Sequence, residues 1–171
     1  AAALLGLGVT PGQRIMLYIP NTLQWVVTWL GIQRLGAVAV PLTPIYTPHD
    51  LRYIANDSGA EAIVCADTNF GYVKRVLREP KIKTVIITRM ADLLPWWKRF
   101  FGYLFDVVPK GKIALEDNTY SLRDLLSKDK REVNHLPALK RDGRARAEIR
   151  YTGGTTKFPK GVPFTHDLFL V

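Results

Sequence analysis

A glycine-, threonine- and lysine-rich segment, residues 151–162, carries the most specific chemical pattern in this 171-residue chain. It reads YTGGTTKFPKGV. Two adjacent glycines let backbone N–H groups approach a ligand without a Cβ in the way, and consecutive N–H groups in such a turn bind anions. Threonine hydroxyls add donors, and a lysine adds a mobile positive charge suited to phosphate. The predicted phosphate-binding residues are Thr152, Gly153, Gly154, Thr155, Thr156 and Lys160.

The same segment has a plainer interpretation as a Gly/Thr turn between two strands. It is not a Walker A loop, because the Gly-x-x-x-x-Gly-Lys-Ser/Thr spacing cannot be laid over it. Cys65 and three scattered histidines show no metal-ligand spacing, so no protein-held metal site is predicted.

Four short apolar runs are predicted to form the strands that position this loop. They are nearly continuous and rich in Val and Ile, which is typical of strands covered on both faces, as in parallel sheets. The predicted strands are Ile15–Pro20, Ala37–Leu42, Ala62–Ala66 and Thr84–Thr88. A fifth strand, Glu148–Tyr151, leads into the loop.

Helical patterns alternate with these runs. Asn21 is a candidate cap for a helix that ends at Gly36. A second helix is predicted from Thr47-Pro48-His49-Asp50 to Gly59, and a third over Thr68–Leu77. The first helix has an apolar stripe on one face: Leu23, Val26, Val27 and Leu30. The alternation predicts an α/β fold with a mainly parallel sheet and flanking helices.

The pattern changes after Arg89. Residues Ala91–Val108 are heavily apolar and aromatic, with Lys98 and Arg99 among them. The segment Ala91–Lys110 therefore predicts either a helix at a bilayer interface, giving peripheral membrane contact, or a helix packed on the remainder of a larger protein. A short helix over Thr119–Leu126 with Ser121 as its cap, and a polar connector over residues 127–146, complete the pattern.

Composition limits the function classes. The net charge of +9 fits nucleic acid, an anionic membrane or polyanionic ligands such as ATP and CoA, but no nucleic-acid-binding motif is present, so no nucleic-acid partner is predicted. The single Cys65 fits a reducing, cytoplasmic compartment. The first eight residues look like the end of a helix, and the last four are an apolar run, so a fragment of a larger domain is expected.

The loop and the residues after it resemble the phosphate-binding loop of the adenylate-forming (AMP-binding) enzyme superfamily, Tyr-Thr-Ser/Gly-Gly-Thr-Thr-Gly-x-Pro-Lys-Gly-Val followed by Leu-Thr-His. Upstream segments are similar to the family in the same order. They are Leu7–Ile15, Ile19–Thr22 with Trp25, Gly36–Val38, Pro41–Pro44 and Ser58–Ala60. The Thr152-Gly153-Gly154 variant and the Leu94-Pro95-Trp96 segment most resemble the long-chain fatty acid–CoA ligases.

The resemblance implies an ATP-dependent, AMP-forming ligase that joins a fatty acid to CoA through an acyl-adenylate, with Mg²⁺ sharing the phosphate charge. Residues 1–171 would form part of its large N-terminal AMP-binding domain, ending just after the loop. The C-terminal domain and the catalytic residues would lie outside the chain, so we expect no turnover by this chain alone. The family position of His166 implies a structural role.

Some residues depart from the family pattern. Lys157 stands where the family has glycine, and this substitution is predicted to strain or reshape the loop, or to add a phosphate contact. Arg144, Arg146 and Arg150 stand where the family is mostly apolar. Three alternatives remain open: a non-catalytic nucleotide-binding module, a peripheral membrane-interaction protein, and an adenylating enzyme for another acid.

Overall fold

The computed structural model describes residues 1–76, 82–105, 109, 111, 113, 118–128, 136, 142–153 and 158–169. Within these residues the strands are β1 Arg14–Tyr18, β2 Val38–Pro41, β3 Ala62–Ala66, β4 Thr84–Thr88, β5 Thr119–Ser121, β6 Arg146–Tyr151 and β7 Gly161–Thr165. The helices are α1 Ala2–Gly6, α2 Leu23–Leu35, α3 Pro48–Ser58, α4 Phe70–Val76, α5 Trp96–Leu104 and α6 Leu122–Lys128, with 3₁₀ turns at Asp67–Asn69 and His166–Phe169.

The described strands form one sheet in the order β5-β4-β3-β1-β2-β6-β7. Strands β1 to β6 are parallel, and β7 pairs antiparallel with β6. This confirms the predicted α/β fold with a mainly parallel sheet and flanking helices. Because all the parallel strands run the same way, their carboxyl ends and the loops that follow them lie at one edge of the sheet.

Both faces of the sheet are covered, which explains why the strand sequences are continuously apolar. Along β1, Met16 and Tyr18 pack into the core beneath α3 and α4. Ile15 and Leu17 point the other way, into the core beneath α1, α2 and α6. Cys65 is fully buried in the first of these cores, and burial raises the pKa of its thiol above the ordinary value. In this environment the cysteine acts as a small buried hydrophobe.

Helix α2 differs from the expected pattern at its start and in the side that it buries. Thr22, rather than Asn21, is the residue before the first turn, and the helix ends as predicted at Gly36, whose φ is +73°. The predicted apolar stripe faces outward, with Leu23 63% and Leu30 54% exposed. The buried side instead carries Gln24, whose Nε2 donates to the backbone oxygens of residues 89 and 90 at 3.0 and 2.9 Å.

Helix α3 begins and ends as predicted. The Thr47 hydroxyl accepts from the backbone N–H of Asp50, and the Asp50 carboxylate accepts from the Thr47 N–H at 2.9 Å, which forms a capping box. Gly59 ends the helix with a φ of +66°, a conformation in which glycine is favoured. These caps define both ends of α3, the helix that contacts β7 and the loop described below.

Three predicted helices have different boundaries in the structure, and the first of them, α4, begins at Phe70 after a 3₁₀ turn rather than at Thr68. Thr119 belongs to strand β5, where it pairs with Val85, and the helix after it begins at Leu122 with Ser121 before its first turn. The aromatic helix α5 begins after Pro95, and residues 106–108 of its predicted extent lie outside the described residues. Thr119 was mispredicted because pairing with a neighbouring strand is not visible in local sequence.

Candidate functional site

The loop 152–160 connects β6 to β7 at the carboxyl edge of the parallel sheet. This edge is where open α/β sheets generally bind ligands. At the base of the loop, the Thr152 N–H donates to the Lys160 backbone oxygen at 3.1 Å. The Lys160 N–H donates to the Thr152 hydroxyl oxygen at 3.4 Å. The two predicted phosphate ligands at the ends of the loop are therefore brought together, although they lie eight positions apart in the sequence.

The described part of the loop leaves its predicted ligands open to solvent. Thr152, Gly153 and Lys160 are exposed. Since the N–H of Thr152 is used within the hairpin, its remaining donor for an anion is its hydroxyl proton. Gly154, Thr155, Thr156 and Lys157 lie outside the described residues, so their predicted roles stay predictions.

Gly161 and Tyr151 pack tightly where β7 begins. A Cβ on Gly161 would lie 3.0 Å from Cζ of Tyr151 and 3.1 Å from Cγ2 of Ile149. Glycine at this position therefore lets the two strands approach closely at the base of the loop. The family pattern in the sequence contains this glycine, and the geometry supplies its physical reason.

The Tyr151 hydroxyl donates to the Asp57 carboxylate of α3 at 2.6 Å. Burial is the main cause that raises the pKa of Tyr151 above its ordinary value, and the hydrogen bond to Asp57 adds to it. The phenol is therefore protonated at neutral pH and donates its proton to the carboxylate. This contact joins the strand that leads into the loop to the end of α3.

A second contact from α3 reaches the far side of the loop. The ring of Phe158 stacks on Tyr53 with centroids 4.6 Å apart and planes inclined by 19°, and on His49 at 5.8 Å. Pro159, next to it, is buried. Sequence reasoning missed this aromatic stack. The available signal was a phenylalanine beside a proline within an otherwise polar loop.

The arginines that depart from the family pattern have different roles. Arg150 forms an ion pair with Glu148, which is 1% exposed, and its guanidinium lies 4.8 Å from the ring centroid of Phe164. The other oxygen of the Glu148 carboxylate accepts from the indole N–H of Trp29 at 3.0 Å. Arg150 stands where the family is mostly apolar, and in this chain it neutralises the buried carboxylate of Glu148. Arg144 and Arg146 are exposed.

His166 begins the 3₁₀ turn after β7. Its backbone N–H donates to the oxygen of Ala145 at 3.2 Å, and its side chain is half-buried. Its position at this turn supports the structural role that the resemblance implies.

No group of three or more His, Cys, Asp or Glu side chains able to hold a metal ion occurs among the residues that the structure describes. None of the described helices is both long and apolar enough to span a bilayer.

The fold and the loop together define a class of protein: an α/β domain with a hydroxyl- and glycine-rich loop at the carboxyl edge of its parallel sheet. The chain belongs to the AMP-binding enzyme family, which matches residues 1–170.

Among the relatives, a long-chain-fatty-acid–CoA ligase of Haemophilus influenzae is 36% identical over 160 residues, covering 91% of this chain and 28% of the relative. A salicyl-AMP ligase / salicyl-S-ArCP synthetase of Mycobacterium tuberculosis is 30% identical over 173 residues, covering 98% of this chain and 26% of the relative. The crystal structure of a long-chain-fatty-acid-CoA ligase from Archaeoglobus fulgidus superposes with a TM-score of 0.68 at 26% identity, covering 96% of this chain and 27% of that one. The chain therefore spans less than a third of the length of these relatives.

Proposed function

We propose that this chain is the N-terminal part of an ATP-dependent, AMP-forming fatty acid–CoA ligase, with residues 1–171 belonging to its large AMP-binding domain. The observation that carries the proposal is the pairing of Thr152 with Lys160 at the base of an exposed loop on the carboxyl edge of the sheet. That pairing brings Thr152 and Lys160 together at the base of the loop, which supports a joint role for the two residues in binding phosphate. The long-chain-fatty-acid–CoA ligase of Haemophilus influenzae supports the fatty-acid assignment.

In the proposed reaction, a fatty-acid carboxylate oxygen attacks the α-phosphorus of ATP, and the bond to the bridging oxygen breaks to release pyrophosphate. The thiolate of CoA then attacks the acyl carbon, which forms the thioester and releases AMP. This chain's part is to hold the β- and γ-phosphates, because amide, hydroxyl and ammonium donors are most effective where charge accumulates on the leaving pyrophosphate. Mg²⁺ would share the phosphate charge in this reaction, and the described residues hold no cluster of three or more His, Cys, Asp or Glu side chains that could bind it without the nucleotide.

No catalytic residue is assigned within the chain, and we expect no turnover by the chain alone. The measurement is pyrophosphate release by the purified 171-residue chain with ATP and a long-chain fatty acid. Release above the rate without protein would show that this expectation is wrong.

The proposed compartment is the cytoplasm, since the single cysteine is a buried free thiol.

Phosphate binding by the loop is tested by titrating a fluorescent ATP analogue into the chain and into the variants Lys160→Ala and Lys83→Ala. Lys83 is a matched control, because its side chain is 70% exposed and is paired with Glu61 at the opposite edge of the sheet. Loss of a charge-assisted contact costs about 1.5–3 kcal/mol, so Lys160→Ala should weaken binding about tenfold or more. Equal effects of the two substitutions would reject the proposed site.

An adenylating enzyme for an aryl acid is the second candidate, favoured by the similarity to the salicyl-AMP ligase. The two candidates share the adenylation step and differ in the acid. Acid-dependent exchange of pyrophosphate into ATP distinguishes them in a polypeptide that continues this chain to the length of its relatives. Exchange driven by palmitate but not salicylate is expected, and the reverse would favour the aryl acid.

A further inference from the structure

Three residues of α3 that follow one another along the helix contact both flanks of the loop. His49, Tyr53 and Asp57 stand four positions apart, so they form one stripe on the helix surface, about 12 Å long. His49 and Tyr53 stack on Phe158, which lies three residues before β7. Asp57 accepts from Tyr151, the last residue of β6. A single side of one helix is therefore attached to the loop where it begins and near where it ends.

The helix that bears this stripe is itself fixed to the core. Leu51 and Ile54, on its inner side, are fully buried against the sheet. The capping box at Thr47 and the left-handed Gly59 define its two ends. Because a closely packed inner side cannot shift without opening voids, the stripe keeps its position relative to the sheet. Helix α3 therefore gives the loop a support that does not depend on the conformation of the loop.

The two contacts lie next to the proposed phosphate ligands that the structure describes. Tyr151 directly precedes Thr152, and Phe158 stands two residues before Lys160. Since consecutive Cα atoms are about 3.8 Å apart, a fixed Phe158 keeps the Cα of Lys160 within about 7 Å. A fixed Tyr151 restricts Thr152 more tightly still. Both ligands are thus confined by neighbours that are anchored on α3.

The chemistry of Asp57 separates support from ligand binding. A carboxylate only accepts hydrogen bonds, so it repels a phosphate oxygen instead of binding it. Asp57 is exposed, and its Oδ2 accepts from Tyr151, the residue next to Thr152. On charge alone, removing this carboxylate would favour an anion in the loop. Any benefit of Asp57 to phosphate binding must therefore come through its hydrogen bond to Tyr151.

We propose that Tyr53 and Asp57 are positioning residues that raise the affinity of the loop for the β- and γ-phosphates of a nucleoside triphosphate. They act through Phe158 and Tyr151, which hold the two flanks of the loop at the spacing of the closed hairpin. A loop held in this way loses less conformational entropy when a ligand orders it, and the entropy saved appears as affinity. The inference rests on the proposed phosphate binding by the loop.

The sign of the effect at Asp57 is the first test. A fluorescent ATP analogue is titrated into the chain and into Asp57→Ala and Asp57→Asn. Asp57→Ala removes the negative charge together with the acceptor, and binding should weaken about threefold to tenfold, the worth of one hydrogen bond. Asp57→Asn keeps an acceptor oxygen for Tyr151 and should bind at least as tightly as the wild type. Unchanged or tighter binding by Asp57→Ala would overturn the proposal.

Tyr53 permits a test in which the ring is either removed or kept. Tyr53→Leu removes the stack on Phe158 and should weaken ATP binding about threefold to tenfold, whereas Tyr53→Phe keeps a ring and should stay within about twofold of the wild type. The matched control is Asn56→Ala, an exposed position of α3 about 100° around the helix axis from Asp57. It should leave the dissociation constant unchanged. Equal losses in Asn56→Ala and Tyr53→Leu would mean that the helix, and not the stack, was disturbed, and would reject the role of Tyr53.

Hydrogen exchange measures the positioning without any ligand. In the wild type the Thr152 N–H donates to the Lys160 backbone oxygen at 3.1 Å. Tyr53→Leu and Asp57→Ala should speed exchange of the Thr152 amide at least about threefold by local opening, while the amide of Val64 in β3 keeps its rate. Similar acceleration at both amides would show a loss of global stability and would contradict the proposal, as would an unchanged rate at Thr152.

Lys160→Ala distinguishes failure of this inference from failure of the proposed function. If Lys160→Ala weakens ATP binding while Asp57→Ala and Tyr53→Leu do not, the loop binds phosphate and α3 does not set its affinity. If Lys160→Ala has no larger effect than Lys83→Ala, or the wild type binds no nucleotide, the phosphate site is rejected and this inference falls with it. Weaker binding in Lys160→Ala and in both α3 variants supports the two proposals together.

Discussion

At the scale of single residues, the base of the candidate loop is held by contacts of three kinds. Thr152 and Lys160 pair through their backbones, and Gly161 allows the close approach of Tyr151. Tyr151 in turn donates to Asp57. These contacts restrict where the loop begins and ends, and such support would preorganise the phosphate site that we propose there.

The first prediction concerns pH. The folded-state pKa of Tyr151 is raised above the ordinary value of 10.0, which the residue keeps in the unfolded chain. The stabilisation that the protonated Tyr151 phenol gives to the folded state is therefore complete below about pH 10. It is lost as pH rises from there toward the folded-state pKa, since Tyr151 releases its proton first in the unfolded chain. Tyr151→Phe should cost about 1 kcal/mol of unfolding free energy at pH 7.

Urea denaturation of both proteins between pH 7 and pH 11 measures this difference. The difference in unfolding free energy between the wild type and Tyr151→Phe should shrink above about pH 10. Comparing two chains that differ at one residue cancels the contributions of the other tyrosines and of Cys65. A gap that stays constant across the whole range would show that the hydrogen bond to Asp57 does not carry the stabilisation.

At the scale of elements, α3 positions the loop. Its capping box and its terminal glycine define where the helix begins and ends. Its exposed side then presents Tyr53 to Phe158 and Asp57 to Tyr151, from positions about one helical turn apart. A helix with such defined ends is a rigid support, and the loop is attached to it on two sides.

The second prediction is a double-mutant cycle between Tyr53 and Phe158, each replaced by alanine singly and together. Offset-stacked rings contribute about 0.5–1.5 kcal/mol beyond the area that they bury, and the coupling energy should lie in that range. The control pair is Tyr53 with Phe100, whose effects should add to within about 0.5 kcal/mol because the two side chains share no contact. Additive effects of Tyr53 and Phe158 would mean that the stack does not hold the loop.

At the scale of the whole molecule, a polar network around Glu148 joins elements that lie far apart in the sequence. Glu148 of β6 accepts from Trp29 of α2 and pairs with Arg150, and Arg150 also contacts the rings of Phe164 and Phe169. A buried carboxylate requires such partners because desolvation otherwise penalises its charge. The network therefore connects α2, β6, β7 and the final 3₁₀ turn.

The third prediction is that Arg150→Ala lowers the unfolding free energy by about 2–3 kcal/mol. Removing one partner of a buried ion pair typically costs about 3–5 kcal/mol, and the cost here is smaller because the Arg150 side chain is 54% exposed. Arg146→Ala, an exposed arginine of the same strand, is the matched control and should change stability by no more than about 0.5 kcal/mol. Thermal and urea denaturation measure both. Similar losses in the two variants would indicate a general charge effect.

The sequence predicted the elements best where a local rule determines them. Runs of buried Val and Ile marked β3 and β4 residue for residue, Thr47 and Asp50 marked the start of α3, and Gly36 and Gly59 marked helix ends. A cap or a left-handed turn depends on a few neighbouring residues, so its signal is contained in them. Thr119 was assigned to a helix instead of β5 because its pairing partner, Val85, is far away in the chain.

By itself, then, the sequence determined the α/β class, the helix ends and the position of the loop after a strand, because these follow from local periodicity, caps and glycine. Only the tertiary structure placed β6 beside β2 and so brought Asp57 to Tyr151, Tyr53 to Phe158 and Trp29 to Glu148. It also decided that the apolar sides of α2 and α5 face outward. The physical reason is that strand order and packing depend on residues roughly a hundred positions apart, whose meeting no local pattern records.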